Sequence, residues 1–164
     1  MRPLTRVCGA LLAQAAVLAT LGCNVLTLDP ERHGESSPAA GAVRHDPEPL
    51  MKNFPLIGRP VAVSWVTWDN SSGRAPGPST YWLDAIVELE PETAAALRSR
   101  YTPTEPADPP ALHDALRSAV PSGPYLSGAE FDAVLGGSEQ WDGSATGYLH
   151  RDRPILVFQA SAGG

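Results

Sequence analysis

Cysteine is almost missing from this chain: Cys8 and Cys23 are its two thiols, and none follows Cys23. The remainder therefore has no disulfide framework, no cysteine metal site and no thiol nucleophile, and its stability must come from an apolar core. Positive charge is also scarce. Twelve basic residues face eighteen acidic ones for a formal net charge of −6, and Lys52 is the only lysine. A protein that grips nucleic acid neutralises phosphates with a basic surface, so the charge balance excludes nucleic acid as a partner. The same sign disfavours direct electrostatic attachment to anionic lipid. Long apolar runs are missing after the N-terminal stretch, and there is no internal repeat.

What the N-terminus does have is a leader. Residues 1–6 contain Arg2 and Arg6 and no acid, and residues 7–22 are uncharged, with Gln14 as the most polar member. A basic segment ahead of a short apolar one marks a secretory signal. Alone it falls short of the ~20 apolar residues that a membrane-spanning helix needs. The stretch closes at Leu21-Gly22-Cys23, which resembles the lipobox of bacterial lipoproteins; small Gly22 fits that motif, whereas Thr20 and Leu21 depart from its order. In that family the cysteine is linked to diacylglycerol and becomes the mature N-terminus. The resemblance implies lipidation at Cys23, with the membrane as a partner and the extracytoplasmic face as the location. Two alternatives stay open: a retained single-pass anchor, since the apolar run extends through Asn24 and Thr27 to Leu28, and a secreted form. All three put the domain outside the cytoplasm. Loss of Arg2 and Arg6 with the leader takes the net charge from −6 to −8.

Three zones are expected: a signal peptide at 1–22, a lipidated N-terminus and disordered tether at 23–59, and one domain at 60–164. Residues 29–59 mix acids with Pro, Gly and Ser and lack periodicity, the composition of a tether, although Phe54-Pro55-Leu56-Ile57 could dock on the domain. Residues 61–68 are rich in β-branched and aromatic side chains, and 81–89 alternate, with Tyr81, Leu83, Ala85, Val87 and Leu89 opposite Trp82, Asp84, Ile86 and Glu88. Both read as strands, joined by a loop at 70–80. Helices are expected at 91–101, at 110–120 and after Ser127, where Ser127 and Glu130 have the spacing of a capping box, Leu126 and Phe131 that of a hydrophobic staple, and Gly136-Gly137 a stop. Residues 102–109 read as a proline-rich connection. Strands at 145–150 and 154–160 complete the order β-β-α-α-α-β-β. This predicts an α+β fold, an antiparallel sheet of about four strands with helices packed on one face.

Residues 81–89, followed by Pro91 and the run Thr93-Ala94-Ala95-Ala96-Leu97, are similar to short uncharacterised exported proteins of high-GC Gram-positive bacteria. That resemblance implies no activity, so function has to come from the residues. His150-Arg151-Asp152 matches three residues of the kinase catalytic loop, but Val157 stands where that loop needs Asn, and no phosphate loop accompanies it. A charged hairpin turn explains it better. No activated-serine motif, no metal-binding spacing and no cofactor fingerprint occurs, so no catalytic residue, metal or cofactor is assigned. Carboxylates at Glu88, Glu90, Glu92, Asp132, Glu139 and Asp142, or a serine with His113 or His150, leave a small extracytoplasmic hydrolase as the alternative. The residual signal is aromatic. Alternation turns Trp68, Trp82 and Asp84 away from the helix-covered face, with Tyr148 and His150 on a later strand, as candidate ligand-binding residues. The leading expectation is a non-catalytic binding or accessory lipoprotein of the envelope, whose partner is an envelope protein or a cell-wall fragment. The competing reading is that the 70–80 loop or Phe54-Pro55-Leu56-Ile57 covers these aromatics, since large aromatics are usually mostly buried.

Overall fold

The computed structural model describes residues 41–70, 79–108 and 110–163. The leader, Cys23, the first part of the expected tether and most of the 70–80 loop lie outside the described residues. Among the described residues six antiparallel strands form one sheet: β1 (Ala62–Asp69), β2 (Tyr81–Glu88), β3 (Glu105–Ala107), β4 (Tyr125–Ser127), β5 (Gly143–His150) and β6 (Ile155–Ala162). Their spatial order is β1-β2-β6-β5-β4-β3. The chain lays down the β1–β2 hairpin, crosses to the far edge, and returns strand by strand until β6 zips against β2.

The α+β antiparallel architecture is the one the sequence predicts, with two more strands. Both extra strands are three residues long, and β3 lies inside the segment expected to be a proline-rich connection. Pro106 is tolerated there because β3 pairs only with β4 and forms the sheet edge.

The alternation in β1 and β2 places Val63, Trp65, Leu83, Ala85 and Val87 on the first face, joined across β6 and β5 by Leu156, Phe158, Ala160, Ala145 and Leu149. Helices α1 (Glu48–Asn53), α2 (Pro91–Tyr101) and α4 (Ala129–Gly136) contribute to this core. In α2, Pro91 opens the helix, Ala94, Leu97 and Tyr101 form its buried stripe, and Thr102 closes it with a left-handed φ of 43°. Helix α4 sits close to β5. A Cβ on Gly136 would overlap the backbone nitrogen of Ala145, and one on Gly147 would meet the Phe131 ring, so both glycines are there for proximity.

Four expectations are corrected. The tether reading fails for residues 41–53, whereas Phe54-Pro55-Leu56-Ile57 docks on the domain as the sequence allowed. Arg44 forms a two-way backbone bridge with Trp65 of β1, and its guanidinium lies 4.0 Å from the centre of the Trp65 ring. Leu50, Phe54 and Ile57 are fully buried, and Phe54 packs edge-on against Phe158 at 4.8 Å. The apolar residues of this segment are too few to show periodicity, yet Leu50, Phe54 and Ile57 fill the first-face core.

The helix expected at 110–120 is one turn, α3 (Asp114–Arg117), and it packs on the other face. Residues before it are drawn out of helical geometry because the His113 N–H donates to the Asp84 carboxylate at 2.5 Å. The His113 imidazole then caps α3, its Nδ1 accepting from the Ala115 N–H at 3.2 Å. The capping box at Ser127 is also not formed. Ser127 is committed to β4, opposite Glu105, and Gly128 stands at the N-cap of α4 without a side-chain bond. Gly137, at the other end of α4, has φ −89° and so is not the left-handed stop expected there.

Candidate binding site on the second face of the sheet

Opposite the main core the sheet carries two different surfaces. One end is dry: Val66, Leu112, Leu116, Tyr125, Ile155 and Val157 form a smaller apolar cluster under α3. The other end is an open cavity of about 220 Å³ lined by Trp68, Trp82, Asp84, Ser144, Thr146, Gln159 and Ser161, with the alanines between them.

Strand register builds this cavity in two rows. Trp68 stands opposite Trp82, Trp82 opposite Ser161, and Ser161 opposite Ser144. One row inward, Val66, Asp84, Gln159 and Thr146 follow in the same order. The bulky aromatics thus come from β1 and β2, and the small polar side chains from β6 and β5. The indoles stack on each other, centroids 6.2 Å apart and planes at 17°. Trp68 also meets the His113 ring, tilted at 42°, at 5.0 Å. Such an offset pair gains about 0.5–1.5 kcal/mol beyond its area burial.

Asp84 is 1 % exposed, and its two oxygens accept from the His113 N–H and, at 3.1 Å, from Gln159 Nε2. Burial raises its pKa above the ordinary value; the two donated hydrogen bonds oppose that shift without cancelling it. The carboxylate therefore acts within the wall, orienting Gln159 and fastening the chain ahead of α3. The Gln159 amide nitrogen also reaches the Ala111 carbonyl at 3.5 Å, which leaves the side-chain carbonyl oxygen as the group free by valence to accept from a ligand. Ser144 and Ser161 share one hydroxyl–hydroxyl bond of 3.2 Å, and Thr146 is exposed.

Of the five candidate residues, Trp68, Trp82 and Asp84 come together at this cavity. Tyr148 lies on the same face of β5 but packs against the smaller apolar cluster, where burial raises its phenol pKa. His150 leaves the candidate site altogether. It is 3 % exposed, edge-on to Tyr125 at 5.1 Å, and its Nδ1 accepts from the backbone N–H groups of Asp152 and Arg153. With Nδ1 an acceptor, Nε2 is the donor to the Ser122 carbonyl at 3.2 Å, so the imidazole caps the β5–β6 turn. Ser144, Thr146, Gln159 and Ser161 were missed as site residues. The alternation of β5 and β6 puts them on the face of Tyr148, and that signal was available in the sequence.

Among the described residues one serine hydroxyl is paired with a histidine ring: Ser64 Oγ lies 3.2 Å from His45 Nδ1. The same nitrogen is 2.9 Å from the Val63 carbonyl, which only an N–H can satisfy, so this nitrogen is not a base for the serine. Among the described residues no group of three or more His, Cys, Asp or Glu side chains is placed to hold a metal ion. No described helix is long and apolar enough to cross a membrane. Comparison with protein-family models, curated proteins and solved structures returned no match.

Proposed function

We propose that this chain is a lipid-anchored binding protein of the cell envelope, held through Cys23 and presenting a non-catalytic domain to an envelope component. The observation that carries the binding reading is the stacked Trp68–Trp82 pair opening onto neutral polar side chains at one end of the sheet. An indole pair offers rigid apolar area at low entropy cost, and a few fixed polar groups orient what settles on it. The anchor reading rests on the basic-then-apolar leader that closes at Leu21-Gly22-Cys23.

Two measurements test the two halves. Intact mass of the membrane-extracted protein is expected to give a chain beginning at Cys23 with a diacylglyceryl group; a retained Met1 points to the single-pass anchor. For the domain, a photoreactive p-benzoylphenylalanine at Thr146 is expected to crosslink an envelope component in living cells. The same probe at Glu92, an exposed position on α2, is expected to remain unlinked. Equal crosslinking at both positions, or none at Thr146, refutes the assignment of the cavity.

A further inference from the structure

We infer that the cavity takes a neutral, hydroxyl-bearing ring, a saccharide unit, in preference to a cation or a charged peptide; this inference rests on the binding reading above. Three features select among ligand classes. The first is the geometry of the aromatics. A cage for an ammonium group needs ring faces converging on one point, but the two indoles lie nearly parallel, 17° apart, and stack on each other. Nearly parallel indoles at the cavity offer flat apolar area, which suits the C–H face of a pyranose ring.

The second is charge. Among the described residues Asp84 is the one ionisable group lining the cavity, and each of its oxygens accepts a hydrogen bond, from His113 and from Gln159, at 1 % exposure. At that exposure it offers a cation almost no accessible surface, and its charge repels an anion. The other described polar groups that line the cavity are neutral: the hydroxyls of Ser144, Thr146 and Ser161 and the carbonyl oxygen of Gln159. Each hydroxyl both donates and accepts, so the set matches the mixed donor–acceptor rim of a sugar.

The third is size. About 220 Å³ is below the roughly 300–1,000 Å³ of pockets that hold drug-sized ligands, so one ring fits and a longer chain must extend along the surface. The opening on the sheet face leaves room for that extension.

The test uses the full chain purified in detergent and a glycan array that includes neutral and acidic microbial oligosaccharides. Neutral glycans are expected to bind. Titration of the best one, followed by intrinsic tryptophan fluorescence, should then show at least tenfold weaker binding for Trp82→Ala and for Thr146→Lys. Thr146 is exposed, so its replacement blocks the floor without removing core contacts, and an unchanged unfolding midpoint shows that the variant folds. Co-sedimentation with purified insoluble cell walls separates the sources: retention there means a wall polymer, and binding of soluble glycans alone means a free sugar. Binding of only acidic glycans, of none, or equally well by Thr146→Lys overturns the inference. If no glycan binds but the Thr146 crosslink forms, the saccharide assignment fails and the binding reading stands; if the crosslink is also missing, both fail.

Discussion

At the scale of the residue, Asp84 is the side chain on which the second face turns. It accepts from the backbone ahead of α3 and from Gln159 of β6, and it does so almost without solvent. Burial raises its folded-state pKa above the ordinary 3.8. The sign of the linkage follows: between the two values the folded chain holds the proton more tightly than the unfolded one, so stability falls as pH rises through that window. Above the folded pKa the whole cost of the buried charge is present. Asp84→Asn has no such titration, and its side-chain oxygen can still accept from the His113 N–H. Urea unfolding of both proteins at a series of pH values is expected to show the wild type losing ground to Asp84→Asn as pH increases from below 3.8. A wild type that gains on the variant over that range contradicts the assigned environment.

Elements show where sequence patterns inform and where they mislead. The β1 and β2 patterns were legible because half-buried strands alternate, and the same alternation turned Trp68, Trp82 and Asp84 to one face. Helix α2 was legible from Pro91 and its apolar spacing. The helical pattern at 110–120 was overridden by a long-range contact, the His113–Asp84 bond, which no local window contains. Ser127 has cap spacing, but that residue belongs to β4, which lies between β3 and β5 and extends the sheet. His150 was drawn into the candidate site by strand parity alone; its backbone acceptor role is invisible in a sequence.

The segment before β1 is the element whose correction has the largest physical consequence. Its Pro and acid content resembles a tether, whereas α1 and the following 3-10 turn (Pro55–Ile57) bury Leu50, Phe54 and Ile57 completely. Phe54→Ala is expected to cost about 3–5 kcal/mol in chemical denaturation, the range for truncating a buried aromatic. Limited trypsin digestion is expected to spare the Arg44–His45 bond, since that backbone is bridged to β1 and the Arg44 side chain is paired with Asp46. Rapid cleavage after Arg44, or a neutral Phe54→Ala, returns the segment to the tether.

On the scale of the whole molecule, the sheet divides its labour. Among the described residues one face is closed by α1, α2 and α4 over the larger core, and the other is closed in part, by α3, leaving the indole pair and a polar floor at the open end. The central claim is that Trp82 serves a ligand and not the fold. Equilibrium unfolding of Trp82→Ala tests it most directly. The account predicts a loss of about 1–2 kcal/mol, the stacking on Trp68 plus partial apolar burial. A loss of about 3–5 kcal/mol, the cost of emptying a core aromatic site, would assign Trp82 to the interior and contradict the account.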